Sequence, residues 1–232
     1  MAELFNIQLE SDLSEFTSTV TDSGDLSWSA DAALAGTSGG MACLIDDTTS
    51  IYGYVAISQK DELRCRFYFD PQTLTMPADS SFMLCGVQAR GGGYHYFVQI
   101  DLVYRAATNY GLKISARNDD GSIFFADELT SLSDEQHYIE YHVIQAATDS
   151  SNDGYAEWWL DGVSQGSDND GDNNAIMAYT PWCYLGVLYL YTPSTPIGGT
   201  IYLDEFVAND DGVTWAIATG QEPEIWPEDE IE

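Results

Sequence analysis

An acidic stretch in the last third of the chain has carboxylates at the spacing of calcium ligands. Residues 167–174 read SDNDGDNN, which places Asp168, Asp170 and Asp172 at every second position. These match positions one, three and five of a calcium-binding loop, but position twelve is Tyr179, where such a loop supplies a bidentate glutamate. The spacing predicts a calcium ion held by the three aspartates and backbone carbonyls. The alternative is a solvated hairpin connection.

Aromatic side chains offer a second kind of chemistry, because flat rings flanked by polar groups bind sugars. The chain has 6 Trp and 15 Tyr. In RGGGYHY three glycines would let the backbone approach a ligand closely. Alternation in AEWWLDG directs Trp158 inward and Trp159 outward. For each aromatic, packing in the core or at an interface is the alternative. The predicted ligand-binding residues are Arg90, Tyr94, Tyr96, Trp159, Trp182 and Tyr184.

Three histidines, His95, His137 and His142, are the candidate bases. No Gly-x-Ser-x-Gly motif is present, although a Ser-His-Asp site remains open. His137 and His142 are separated by an odd number of residues, so we expect them on opposite faces of one strand. A metal site that joins these two histidines is therefore not expected.

Strands must position these groups, since alternating apolar residues and turn residues dominate the chain. In LRCRFYFD, Leu63, Cys65, Phe67 and Phe69 share one face. Further strands are predicted at 94–104, 110–117, 137–145, 155–165, 182–191 and 198–210. Asp-Gly turns predict hairpins within NDDGSIFF and WWLDGVSQ. Only TSLSDEQHY suggests a turn of helix. The pattern predicts an all-β sandwich or barrel.

Charge restricts the partners. With 38 acidic and 7 basic residues the net charge is −31, which disfavours nucleic acid and anionic membranes as partners.

The four cysteines fall in apolar runs, which predicts buried reduced thiols, with a disulfide as the alternative. The start, MAELFNIQLESD, has neither a basic region nor an apolar run. We therefore expect cytoplasmic synthesis without a signal peptide, and no membrane insertion.

Several motifs occur in an order that resembles concanavalin A-like jelly rolls, the superfamily of lectins, laminin-G modules and glucanases. AEWWLDGV (156–163) is similar to its strand–turn motif, and EQHYIEYHV (135–143) to the strand before it, where the position of His137 is structural. GGTIYLDEFVA (198–208) resembles the closing strand. The segment 9–47 resembles the first strands of such modules in bacteriophage and secreted bacterial proteins. The resemblance implies an antiparallel β-sandwich jelly roll, concanavalin A-like, over residues 1–218, followed by an acidic C-terminal tail over 219–232.

Glucanases of this superfamily carry Glu-x-Asp-x-x-Glu on one strand. The nearest match, QIDLVY, keeps Asp101 but has Gln99 and Tyr104 at the flanking positions, so it lacks the carboxylate pair that retaining hydrolysis needs. We therefore expect a non-enzymatic surface or structural module of a virion (capsid decoration or tail fibre) or similar extracellular assembly. Its partners would be other subunits and cell-surface glycans. A free carbohydrate-binding lectin, or a glycoside hydrolase or polysaccharide lyase with an atypical site, are the alternatives.

Overall fold

The fold is a sandwich of two antiparallel sheets. The computed structural model of the chain describes residues 3–90, 96–105, 109–192 and 196–210. Within these ranges, fifteen strands, one short α-helix, α1 (Asn174–Met177), and two single-turn 3-10 helices (Asp22–Gly24 and Ala30–Ala32) are present. No helix among the described residues is long and apolar enough to cross a bilayer.

The strands are divided between two sheets, and of the described strands only those at the edges of each sheet lack a second neighbour. Sheet A runs in the order β13 (Val163–Gly171), β12 (Gly154–Leu160), β11 (His137–Ile144), β6 (Glu62–Asp70), β15 (Gly199–Asn209), β4 (Gly40–Ile45) and β3 (Leu26–Ser29), with β1 (Glu3–Ile7) also paired to β15. Sheet B runs β10 (Ile123–Leu132), β9 (Asn109–Arg117), β8 (Tyr96–Arg105), β7 (Ser80–Arg90), β14 (Thr180–Tyr191), β5 (Ile51–Ala56) and β2 (Ser18–Val20). The predicted antiparallel jelly-roll sandwich is confirmed.

The core lies between the sheets, where alternate residues of each strand meet. On β6, Leu63, Cys65, Phe67 and Phe69 are buried, as the alternation predicts. The largest fully buried side chains are Trp158, Tyr141, Phe67, Phe69, Phe82 and Phe206. Trp158 points inward, as predicted, and its indole Nε1 donates to Asp127 Oδ2 of β10 at 2.9 Å, which joins the two sheets. The alternation of apolar residues therefore predicts which face of each of these strands packs in the core.

The closing strand β15 also anchors an early segment of the chain. The carboxylate of Asp204 accepts hydrogen bonds from the backbone N–H groups of Leu34 and Ala35 at 2.8 and 3.0 Å, and from the hydroxyl of Thr37. The next residue, Glu205, pairs with Arg66 on the other side of the strand. The two adjacent carboxylates therefore bind separate parts of the structure.

Two local predictions are wrong. TSLSDEQHY does not form a helical turn, because β10 continues to Leu132 and β11 begins at His137. SDNDGDNN is not a hairpin connection, because β13 pairs with β12 as far as Gly171, opposite Gly154. Backbone pairing to a neighbouring strand outweighs the local turn preference of Asp, Asn and Gly in that segment. All four cysteines are free and buried, as predicted.

The predicted domain boundary at residue 218 and the tail 219–232 lie outside the described residues and stay predictions.

Candidate active site

The outward face of sheet B carries a cluster of aromatic side chains that we call the tyrosine face. Its members are Tyr52, Tyr54, Tyr96, Trp182, Tyr184 and Tyr189. In β5, IYGYVA buries Ile51 and Val55 and turns Tyr52 and Tyr54 outward. In β14 the same alternation buries Cys183 and turns the aromatic residues on either side of it outward.

Tyr96 occupies the middle of this face because the residue of β7 beneath its ring, Gly86, has no side chain. A Cβ atom at Gly86 would lie 2.6 Å from a ring carbon of Tyr96, so the ring rests directly on the backbone of the glycine. The ring also makes edge contacts with Tyr184 and Tyr189, at centroid distances of 5.6 and 5.8 Å. Burial, together with Tyr189 and the other tyrosines, raises the pKa of Tyr96 well above the ordinary phenol value. The phenol of Tyr96 is therefore protonated at neutral pH.

Tyr189 reaches the face through an irregularity in β14. The pairing of β14 with β7 shifts register on both sides of Leu188, and Tyr189 has a φ of 50°. Such a bulge re-aims a side chain relative to the normal alternation. Tyr189 is 66 % exposed and lies at the edge of the half-buried Tyr96 ring.

A row of polar groups lies near Tyr96, on its own strand β8 and on the adjacent strand β9. Gln99 of β8 lies opposite Gly86, and its Nε2 donates to both carboxylate oxygens of Asp101 at 2.9 and 3.0 Å. Lys113 of β9 lies across the strand pair from Asp101. Burial raises the pKa of the Asp101 carboxyl, while the hydrogen bond from Gln99 and the positive charges of Lys113 and Arg117 act in the opposite direction. Asp101 is thus a partly desolvated carboxyl with two cations nearby.

The other aromatic rings of the tyrosine face form a flat surface that a ligand could contact. The rings of Tyr54 and Trp182 stack at 4.3 Å with an interplanar angle of 3°. The hydroxyl of Tyr184 donates to the buried Gln88 Oε1 at 3.0 Å, which fixes the ring. A planar aromatic platform beside a fixed hydrogen-bonding row is the arrangement with which proteins bind sugar rings.

The predicted ligand-binding residues separate into three groups. Tyr96, Trp182 and Tyr184 come together on the tyrosine face. Trp159 points outward, as predicted, but on sheet A, where the guanidinium of Arg64 lies over its ring at 4.3 Å. Arg90 ends β7, opposite Thr180, and its side chain lies outside the described part. Tyr94 also lies outside the described residues.

The predicted calcium ligands lie elsewhere. Asp168 and Asp170 are on β13 at the edge of sheet A, and the backbone N–H of Asp170 donates to Asp168 Oδ1 at 3.0 Å. Asp172 follows the strand. Among the described residues no three His, Cys, Asp or Glu side chains converge as a metal site would require. Calcium at this position stays a prediction, as do partner subunits and an extracellular location.

Several residues of the face are absent from the sequence-based prediction. Tyr52 and Tyr54 carried a signal, the alternation of IYGYV between two turn segments. Gln99 and Asp101 had been considered only as an incomplete glucanase motif. Tyr189 carried no signal, since normal alternation from Tyr184 would turn it into the core.

The fold and face can now be compared with known proteins. No protein-family model matches the chain, and no curated protein sequence does. Among solved structures, the chain is similar to an endo-β-1,4-glucuronan lyase from the fungus Trichoderma reesei, with a TM-score of 0.62 and 12% identity over 89% of this chain and 94% of that one. It is similar to alginate lyase Aly36B, with a TM-score of 0.62 and 11% identity over 88% and 95% of the two chains. It is also similar to alginate lyase PA1167 from Pseudomonas aeruginosa, with a TM-score of 0.53 and 10% identity over 90% and 98%.

These similarities correct the functional expectation. The interpretation as a non-enzymatic virion or surface module is contradicted, because solved structures that share this fold nearly end to end include glucuronan and alginate lyases. The sequence argument excluded hydrolysis by two paired carboxylates. It did not exclude elimination, which needs no such pair.

Proposed function

We propose that the protein is a polysaccharide lyase that cleaves a uronate-containing polysaccharide by β-elimination on the tyrosine face. The observation that carries this proposal is the position of Tyr96, a half-buried phenol seated on Gly86 beside the Gln99–Asp101 pair and in contact with Tyr189. The glucuronan and alginate lyases of the same fold support the choice of substrate class.

Elimination at a uronate needs three groups. A base removes the proton on the carbon that bears the carboxylate, a positive or hydrogen-bonding group stabilises the charge that develops there, and an acid protonates the departing glycosidic oxygen. The C–O bond then breaks as a carbon–carbon double bond forms, and no water is consumed.

Tyr96 is suited to the role of acid. Its phenol is protonated at neutral pH, as the ordinary pKa of tyrosine requires, and the exposed Tyr189 lies against its ring, where it can pass a replacement proton from water. Tyrosine is an established proton donor in enzyme active sites, and such proton transfer contributes about 10²- to 10⁴-fold in rate.

Asp101 is suited to the role of base. Desolvation raises the pKa of its carboxyl and so makes the carboxylate a stronger base than a fully solvated one. It lies two residues beyond Gln99 on β8, and Gln99 lies opposite Gly86, the residue beneath the Tyr96 ring. Lys113 is directly across from Asp101, and Arg117 is on the same strand as Lys113. These two cations would meet the uronate carboxylate.

The stacked Tyr54 and Trp182 would bind the neighbouring sugars of the chain. Their position on β5 and β14 extends the platform away from the polar row, so a polysaccharide crossing the strands contacts both regions. Binding to several sugars outside the reacting bond supplies the orientation that catalysis needs.

The test is elimination activity on alginate and on polyglucuronate, followed by the ultraviolet absorbance of the new double bond. Wild-type protein should raise the absorbance, and Tyr96→Phe should reduce kcat by about 10²-fold or more while the fold persists. Tyr202→Phe, which removes a half-buried phenol from sheet A, is the matched control and should keep wild-type activity. The assay needs about 0.15 M salt, because screening over roughly 8 Å weakens repulsion between a polyanion and this acidic protein.

Saturable binding of these polysaccharides with no rise in absorbance would contradict the lyase proposal. That result would instead favour the alternative of a carbohydrate-binding lectin that uses the same face.

A further inference from the structure

A second group of reactive side chains lies on the connection between the two sheets. Ser133 follows β10 of sheet B, His137 begins β11 of sheet A, and Asp161 lies in the turn between β12 and β13. Ser133 Oγ is 2.9 Å from His137 Nε2, and Asp161 Oδ2 is 2.7 Å from His137 Nδ1. The hydroxyl, imidazole and carboxylate therefore form a continuous chain of hydrogen bonds.

We propose that Ser133, His137 and Asp161 form a nucleophilic site that hydrolyses short-chain acyl esters, an activity separate from the proposed lyase. The three groups have the contacts that define a serine hydrolase triad, in which the base touches the nucleophile and an acid orients the base.

The hairpin turn holds Asp161 in place. Its Oδ1 accepts from the backbone N–H of Tyr138 at 2.9 Å, and its own N–H donates to the Tyr138 carbonyl at 3.0 Å. The φ of 50° at Asp161 belongs to this turn. With Asp161 fixed at Nδ1, the neutral imidazole carries its proton on Nδ1 and presents the lone pair of Nε2 toward Ser133.

The surroundings of His137 favour its action as a base. Burial by itself lowers the pKa of His137, but the hydrogen bond and charge of Asp161, the Ser133 carbonyl and the charge of Glu135 outweigh it and raise the pKa. The Ser133 carbonyl is 3.3 Å from Nε2, so it stabilises the imidazolium that forms when Ser133 gives up its proton. The Phe69 ring packs against the imidazole at 5.7 Å and limits its movement.

The connection itself can bind the developing oxyanion. The backbone N–H groups of Asp134 and Glu135 directly follow the serine in this connection. Adjacent amides beside a nucleophile are suitable donors for a tetrahedral oxyanion. The exposed position of Ser133 and its acidic neighbours favour a small, uncharged acyl group, such as an acetyl ester on a sugar hydroxyl.

The reaction balances with water as the co-reactant. Ser133 Oγ forms a bond to the ester carbonyl carbon as its proton moves to His137 Nε2, and the ester C–O bond breaks as that proton moves to the departing alcohol. Water then gives a proton to Nε2 as its oxygen attacks the acyl carbon. The bond to Ser133 Oγ breaks, the serine regains a proton, and the carboxylic acid leaves.

The direct test treats the full chain with a fluorophosphonate reagent and locates the adduct by peptide mass spectrometry. We expect labelling at Ser133, at a rate that rises with pH as His137 becomes neutral, and loss of labelling in His137→Gln. Ser133→Ala should reduce hydrolysis of p-nitrophenyl acetate by about 10²-fold or more. Ser58→Ala, which removes an exposed loop serine, should not reduce it.

Absence of an adduct at Ser133, together with equal ester hydrolysis by Ser133→Ala and Ser58→Ala, would overturn the proposal and leave His137 as a structural link to the hairpin turn. Ser133→Ala removes only an exposed hydroxyl, so this comparison holds even if His137→Gln does not fold. Tyr96→Phe should leave ester hydrolysis unchanged, which separates this outcome from that of the lyase assay.

Discussion

At the scale of single residues, the site depends on a missing side chain. Tyr96 reaches its half-buried position because residue 86 is glycine, and desolvation there, together with the neighbouring tyrosines, raises the pKa of the phenol. The reactive character of Tyr96 therefore belongs to the pair of residues and not to the tyrosine alone.

We predict that Gly86→Ala displaces the Tyr96 ring and reduces elimination activity by about 10-fold or more, with an unfolding cost of about 1–3 kcal/mol from overpacking. Gly198→Ala is the matched control, since a Cβ there meets only the Ile45 carbonyl at an ordinary 3.7 Å. Urea denaturation and the absorbance assay measure the two effects. A fully active Gly86→Ala protein would show that elimination does not require the contact between the Tyr96 ring and the backbone of residue 86.

Residue patterns predicted part of this site. Tyr96, Trp182 and Tyr184 are recognisable because they are aromatic and lie on strands whose other face is apolar. Tyr189 is not recognisable, because a bulge reverses its direction and bulges leave no period in the sequence. Trp159 was assigned the correct direction on its strand, but alternation alone does not say which of two sheets a strand joins.

At the scale of elements, β15 closes sheet A and fixes an early segment of the chain. Asp204 is fully buried and accepts from Leu34, Ala35 and Thr37, which lie between β3 and β4. One side chain of the last described strand thus satisfies several donors of a segment that has no strand partner.

We predict that Asp204→Ala lowers the free energy of unfolding by about 3–5 kcal/mol, because it leaves several donors without an acceptor. Asp61→Ala, an exposed carboxylate, should change it by less than about 0.5 kcal/mol. Urea denaturation measures both. Equal stability of the two variants would show that water replaces Asp204 at no cost.

Element boundaries were the weaker part of the sequence prediction. The long strands β6 and β11 were predicted correctly because their core-facing residues are apolar while charged or polar residues alternate with them on the other face. This alternation leaves a period of two although both faces are buried. The continuation of β13 through SDNDG and the short helix α1 were not predicted. Both depend on contacts with distant segments, such as the pairing of Gly171 with Gly154 and the bonds from Ala175 and Ile176 to Asp119.

At the scale of the whole molecule, the charge of −31 opposes the compact state through self-repulsion. Several carboxyls have a pKa raised above the ordinary value, in each case chiefly by burial; these are Asp25, Asp101, Asp134, Asp204 and Glu205. Such groups bind protons more tightly in the folded state than in the unfolded state. Their stabilising effect is therefore lost as the pH rises through the raised pKa values.

We predict a higher free energy of unfolding at about pH 5 than at about pH 7.5, a direction that follows from these shifts and from the reduced net charge. Hydrogen bonds lower the pKa of Glu10, Asp12, Asp120 and Asp153, and the stability they provide is lost only at more acidic pH. Urea denaturation at both pH values gives the comparison. Greater stability at the higher pH would refute this account of the carboxyls.

The most direct test of the central claim is the mass of the oligosaccharides released from a polyuronate. No water enters the broken bond, so the fragment that carries the new double bond is lighter by one water than the hydrolytic product of the same length, while the fragment that keeps the glycosidic oxygen has the ordinary mass. We predict the lighter, unsaturated products from wild-type protein and none from Tyr96→Phe. Cleavage products of hydrolytic mass without any unsaturated ones, or lighter products undiminished in Tyr96→Phe, would contradict the assignment of elimination to the tyrosine face.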